Sequence, residues 1–433
     1  MKRYAMDDLV RWKNSARRKP LILNGARQVG KTWLLREFGS KHFEKCAYVS
    51  LDSNSAAAAL FDTDFNISRI VNGLSLLTGV RIEPRTTLLI LDEIQSVPKA
   101  ITSLKYFCED LPELAVAAAG SLLGVSANEG TGYPVGKVDT LDLYPLHFRE
   151  FLDATGDELL CDLINGGDSA SINAFRDRAA LALKRYCVVG GMPAVVDSYA
   201  ENGDLQYVRA MQEQIIEDYE RDFAKHVPPR LYPRMLEVWH SIPAHLSQEN
   251  KKFVFGRVRE GARAKDFEEA LIWLAQAGLI CRASRVSKPG MPLSAYVDHK
   301  AFKVFLLDVG LLGAMSGLDH ASIADGNAMF TEFKGALAEQ FVCQQLVGDC
   351  GMTPYYWSAE NSRGELDFLT QSNGATYAIE VKAEENLQAK SLRAFKDKHP
   401  DVRARRFSSS GYREQEWMTN VPLFAIGNIE LWR

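Results

Sequence analysis

The sequence predicts an α/β chain with a mostly parallel sheet in its first third, helices through its middle and a smaller α/β domain at its end. Three observations carry that reading. Apolar runs at Leu21–Leu23, Cys46–Asp52, Leu88–Leu91, Leu114–Ser121 and Val138–Leu146 alternate with helical stretches, which is the pattern of about five parallel strands with crossover helices. From Gly166 to Val227 the spacing is helical, broken once by Gly190-Gly191-Met192-Pro193. Near the end, two alternating runs flank Ser372-Asn373-Gly374, and Asn-Gly between such runs is the strongest short-range hairpin signal.

Composition bounds the rest. A chain of 433 residues exceeds the usual reach of one core, and about 150 residues per domain gives roughly three domains. With 46% hydrophobic and 24% charged residues the chain is ordinary globular material, neither fibrous nor largely disordered. The net charge of −4 leaves no global field toward nucleic acid or anionic membrane, so any such contact is local. Leu114 to Val125 is the longest smooth apolar stretch; it is too short for a bilayer and holds Gly120 and Ser121. The first residues are basic but carry Asp7 and Asp8 and no signal-type apolar run, which reads as a soluble, cytoplasmic chain with no membrane partner. Seven cysteines without any C-x-x-C fit reduced core thiols.

The first apolar run leads directly into Gly25-Ala26-Arg27-Gln28-Val29-Gly30-Lys31-Thr32, the pattern GxxxxGKT. Its glycines let the backbone curl until N–H groups face a phosphate, Lys31 reaches the β and γ oxygens, and the Thr32 hydroxyl ligates Mg²⁺. Trp33 opens the helix that follows, whose N-terminus favours an anion. The run Thr86–Leu91 ends in Asp92-Glu93. Asp92 suits the Mg²⁺ shell, and Glu93 suits the water that attacks the γ-phosphate. Ser121 closes the fourth run, a place that suits a polar side chain sensing that phosphate and equally a strand-ending turn at Gly120-Ser121.

GARQVGKT at 25–32, LDEIQ at 91–95, GSLLG at 120–124, YPLHFREF at 144–151 and GGMP at 190–193 together resemble a bacterial and archaeal AAA-type P-loop ATPase family with a C-terminal domain of unknown function. The resemblance spans essentially the whole chain. It implies a P-loop NTPase sheet with a helical lid, Mg²⁺-dependent ATP binding and hydrolysis, and homo-oligomers in which a neighbouring subunit supplies an arginine. Arg149, Arg185 and Arg221 are the candidates for that arginine.

The remaining residues divide into a lid at 161–230, a winged-helix-like segment at 231–320 and a last domain at 321–433, after an ATPase domain at 1–160. Lys251, Lys252, Arg257, Arg259, Arg263 and Lys265, against Glu260 alone, give a local net of +5 that suits DNA phosphates. Arg393, Lys396, Lys398, Arg403, Arg405 and Arg406 add basic charge further on. With Asn373-Gly374 as the hairpin loop, Asp367 faces Glu380 and Glu365 faces Lys382, all on one face of the sheet. Opposed carboxylates repel, and a Mg²⁺ or Mn²⁺ between Asp367 and Glu380 removes the objection, with Lys382 orienting the attacking water. This Asp…Glu-x-Lys arrangement, with Glu339 on the preceding helix, resembles the restriction-endonuclease-like nuclease superfamily. The combined expectation is an ATPase coupled to a metal-dependent nuclease-like domain acting on DNA. The alternatives are an ATP-controlled switch or scaffold and a DNA-binding regulator, each with a non-catalytic last domain.

Overall fold

A computed structural model describes residues 1–121, 132–248, 250–318, 333–359, 364–383 and 389–433. The described chain forms two compact units, Lys2–Tyr144 with Gln276–Gly278, and Pro145–Ala275 with Leu279–Arg433.

The first unit holds β1 (Leu21–Asn24), β2 (Lys45–Ser50), β3 (Thr87–Asp92), β4 (Ala115–Ala119) and β5 (Asp139–Asp142) in one sheet of order β2-β3-β4-β1-β5. Every neighbouring pair is parallel, as the alternating runs predict. Helices cover both faces of such a sheet, so its central strands must be apolar along their length. β3 and β4 are buried at every residue. Ile70 and Leu74 from the helix Ile67–Thr78 and Ile101, Leu104 and Phe107 from Pro98–Asp110 pack on Leu89, Leu91 and Val116. Parallel strands end at the same edge of the sheet, and there the loops after β1, β3 and β4 collect. Since β4 lies between β1 and β3, Ser121 stands between the glycine-rich loop and Asp92-Glu93. Residues 122–124 of the GSLLG run lie outside the described residues.

The second unit contains the helices from Phe148–Ala154 to Ala264–Gln276 and an eight-stranded mixed sheet. Its strands are β6 (Ile280–Val286), β7 (Val297–Leu306), β8 (Tyr355–Ser358), β9 (Glu365–Ser372), β10 (Ala375–Lys382), β11 (Arg403–Ser408), β12 (Arg413–Glu414) and β13 (Met418–Pro422), in the order β12-β13-β11-β10-β9-β8-β6-β7.

The two units divide the chain differently from the expected domains. The break falls at Tyr144/Pro145 and not at 160, because Phe148 packs edge-on against Tyr186 and Phe341 and its backbone N–H donates to the Gln345 side chain at 2.9 Å. The described residues within 279–318 and 333–433 fall in the same unit. The strands read as the hairpin of a winged helix, β6 and β7, form one edge of the last sheet, with β6 pairing parallel to β8 through Ser284–Tyr355 and Arg285–Tyr356. An isolated two-stranded hairpin is marginal in water, and joining the sheet pairs both edges of β6.

The helix Lys334–Gly348 is buried from Ala336 through Leu346 although it carries Glu339, Gln340, Gln344 and Gln345. Backbone groups and buried side chains satisfy the glutamines. Gln340 accepts from the Leu306 N–H and donates to its carbonyl, and Gln344 accepts from the Val309 N–H and donates to Asp308 at 3.2 Å. Asp308, fully buried, accepts from the N–H groups of Gly191 at 2.6 Å and Leu311 at 3.0 Å. That seat explains the Gly190-Gly191 pair: Gly190 sits at φ 75°, ψ −164°, and a Cβ there would lie 2.2 Å from Asp308 Oδ1. Only glycine adopts that conformation readily. Gly190→Ala is therefore expected to lower unfolding free energy by about 2 kcal/mol or more in denaturant titration, whereas Gly166→Ala, with open space around it, leaves stability nearly unchanged.

Candidate functional site

Residues 25–30 curl because their backbone is pushed out of the ordinary regions: Gly25 has φ 148°, Gln28 64° and Gly30 91°. A Cβ on Gly25 would stand 2.3 Å from the Leu143 carbonyl, so the turn accepts nothing larger. Arg3, which sequence reasoning passes over, braces the loop from behind by donating to the Val29 carbonyl at 2.9 Å and the Tyr144 carbonyl at 2.7 Å.

Lys31, the first residue of its helix, is 7% exposed and donates to the carbonyls of Gly25 at 2.9 Å and Ala26 at 2.7 Å. Burial lowers its ammonium to about 8 despite the nearby charges of Glu93 and Asp92. An ammonium kept short of water is answered strongly by a phosphate. Thr32 Oγ1 donates to Asp92 Oδ2 at 2.7 Å, so the two Mg²⁺-ligand candidates meet although one follows β1 and the other ends β3. Tyr48 of β2 donates to the same oxygen at 2.9 Å, and burial followed by the Asp92 charge pushes its phenol up to about 12. Glu93 takes the left-handed region at φ 49°, and Gln95 donates to its Oε2. Arg27 Nε donates to the buried Ser121 hydroxyl at 3.2 Å. Trp33 lies 43% exposed beside the loop. The donors suit magnesium: hard oxygens of a hydroxyl and a carboxylate, with backbone N–H groups and one ammonium for phosphate. Tyr48 carried no motif signal, and Gln95, though within LDEIQ, was assigned no role, since partners across a sheet and two residues along a turn appear only once the chain folds.

The second cluster gathers Glu339, Asp367, Glu380 and Lys382 with charges that were not anticipated. The hairpin register is the expected one from Ser372–Ala375 to Phe368–Ile379. Beyond it β9 turns to β8, pairing Glu365 with Ser358. Asp367 Oδ2 accepts from the Val381 N–H at 2.7 Å, and Glu365 faces Lys303 of β7 at 2.6 Å where Lys382 was expected. Lys382 pairs with Glu380 at 2.9 Å, and Lys251 binds Glu339 at 2.5 Å. A divalent ion between Asp367 and Glu380 does not fit this arrangement: Glu380 faces the Lys382 ammonium, Asp367 accepts from a backbone N–H, and among the described residues no group of three or more His, Cys, Asp or Glu is placed to hold a metal.

Burial opposes the Glu339 carboxylate, yet Lys303 and Lys251 outweigh burial and hold it below its usual range. Burial, then Glu339, pushes Asp367 up to about 7.

Lys251 thus leaves the basic segment, whose other members Lys252, Arg257, Arg259, Arg263 and Lys265 are exposed. Arg406, read as surface charge, is buried and donates to Asn420 at 2.7 Å, while Arg405 donates to the Trp432 and Arg433 carbonyls. Of the arginine candidates, Arg149 pairs with Asp349 and Arg221 with Glu217 and Asp218. Arg185 is exposed and forms no ion pair among the described residues.

A parallel sheet of order β2-β3-β4-β1-β5 with a phosphate loop after β1 and an acidic pair after β3 defines a nucleotide-phosphate-binding α/β fold. Residues 17–152 match the family model of an AAA domain, residues 180–322 that of a domain of unknown function, DUF8612, and residues 334–426 that of a second, DUF4143. No match is found among curated proteins. Among solved structures, a Walker-type ATPase of Pyrococcus abyssi is 14% identical, with 72% of this chain and 95% of that one covered at a TM-score of 0.45. The Orc1 protein of Aeropyrum pernix, solved with DNA, is 15% identical over 73% of this chain and 93% of its own, at 0.29. The RuvB Holliday junction branch migration motor of Thermotoga maritima is 16% identical over 64% and 88%, at 0.28.

Because the folded Asp367 titrates above an ordinary carboxyl, stability tied to its neutral form is complete below about pH 4 and is lost as pH rises through 7. Asp367→Asn is accordingly expected to gain roughly 2 kcal/mol relative to wild type between pH 5 and pH 8, read from denaturant titrations at both pH values.

Proposed function

We propose that the chain binds ATP with Mg²⁺ and hydrolyses it between the 25–32 loop and Asp92-Glu93. The supporting observation is the bond from Thr32 Oγ1 to Asp92 Oδ2, because a hydroxyl at the start of a helix and a carboxylate at the end of β3 converge beside a buried lysine. Mg²⁺, when bound, neutralises charge that builds on the phosphate oxygens as the terminal bond breaks. The backbone N–H groups of Gly25 to Gly30 hold the phosphates, and Lys31 exchanges its two carbonyl partners for phosphate oxygens. Thr32 and Asp92 hold the metal, with Tyr48 fixing the Asp92 carboxylate. Glu93, reached by Gln95, accepts the proton of the attacking water. In a homo-oligomer, Arg185 is the arginine best placed to serve another subunit, since Arg149 and Arg221 already have partners. Lys31→Ala is expected to weaken ATP binding at least about tenfold in calorimetry. Glu93→Gln is expected to bind within about threefold of wild type while phosphate release slows at least about 100-fold. Equal turnover in the two proteins would remove the base role from Glu93.

The second part of the proposal is DNA contact through the exposed segment after Lys251, supported by five exposed cations at 252–265. The nuclease alternative draws support from the burial of Glu339 and Glu380 in one region, and the lysines facing Glu339 weigh against it. Neutralising Lys252, Arg257, Arg263 and Lys265 together is expected to reduce the slope of log affinity against log salt by roughly 3. The DNA should stay intact with Mn²⁺, and metal-dependent cutting abolished by Asp367→Ala would favour the nuclease reading.

A further inference from the structure

Charged side chains are almost never fully buried unless something answers them. In the second unit, the side chains of Lys303, Glu339, Glu380 and Lys251 are each 10% exposed or less. We propose that Lys303, seconded by Lys251, is the resident cation of this cluster in place of a divalent metal, so that the acidic group of the last sheet is closed by the chain's own charge and has no hydrolytic role. The inference is independent of the ATPase reading and concerns a different unit.

The geometry supports it from several sides. Lys303 Nζ lies 2.6 Å from Glu365 Oε1 and 3.6 Å from Glu339 Oε2, and it stands 5.0 Å from the centre of the Tyr356 ring. Lys251 Nζ lies 2.5 Å from Glu339 Oε1, so both oxygens of Glu339 face ammonium groups. Lys382 answers Glu380. Lys251, Lys303 and Lys382 stand against Glu339, Glu365 and Glu380 three for three. The Lys303 main chain is held on both sides: it sits within β7, paired to Ala283 of β6, and it bridges Lys252. Glu380 Oε2 is buried without a hydrogen-bond partner among the described residues.

Nucleotide-free full-length protein titrated with Mn²⁺, with free ion read by electron paramagnetic resonance, tests the proposal. Wild type and Asp367→Asn should bind the same amount of Mn²⁺, any ion at Thr32 and Asp92 being common to both, and EDTA should shift the melting temperature by less than about 1 °C. Lys303→Met should melt more than about 5 °C lower, and adding Glu339→Gln should restore at least about half of the loss. A bound Mn²⁺ in wild type that disappears in Asp367→Asn overturns the proposal, as does a Lys303→Met protein that melts with wild type. If Lys303→Met yields no folded protein, the wild-type and Asp367→Asn titration decides alone.

Discussion

Charge taken out of water must be answered, and each unit of this chain is built around that requirement. In the first, Lys31 is buried at the head of a helix and hydrogen-bonded to two carbonyls of its own loop, with the Glu93 and Asp92 charges nearby. Carbonyl dipoles are a weak partner for an ammonium, and the loop is thereby left ready for a polyanion. In the second, Asp308 is answered by the N–H groups of Gly191 and Leu311, and Glu339 by two lysines. The same physics gives Lys31 two loop carbonyls in one unit, and in the other gives Asp308 backbone N–H groups and Glu339 two ammonium groups.

The fold follows the placing of these groups. β4 inserts between β1 and β3, so the loop and the acidic pair are not on adjacent strands, yet the parallel sheet brings their carboxyl ends to one edge. In the second unit the helix Lys334–Gly348 is the shared element: it reaches Leu306 and Val309 through Gln340 and Gln344, Phe148 through Gln345 and the lysine pair through Glu339.

What could be read without coordinates was what is local in sequence. GxxxxGKT and the acidic pair are contiguous strings with a strand before them, and the Asn373-Gly374 turn fixes the register of its own hairpin. Partners that arrive from distant segments left no such mark. Lys303 meets Glu365 and Glu339 only because β6 and β7 join the last sheet, a pairing between Ser284 and Tyr355 that no spacing rule foretells. For the same reason Lys251 and Arg406, counted as surface charge from composition, are interior groups. Charge runs report the number of cations in a segment and not the direction each faces.

The glutamines of Lys334–Gly348 also restrict how that helix can lie. Each residue advances it by about 100°, so a shift of one position would aim Gln340 and Gln344 into apolar neighbours and leave the Leu306 and Val309 amides without acceptors. Leucines at those places would tolerate such a rotation, as greasy surfaces slide over one another. The polar stripe acts as a key cut for a single lock, trading some adhesive strength for uniqueness of seating.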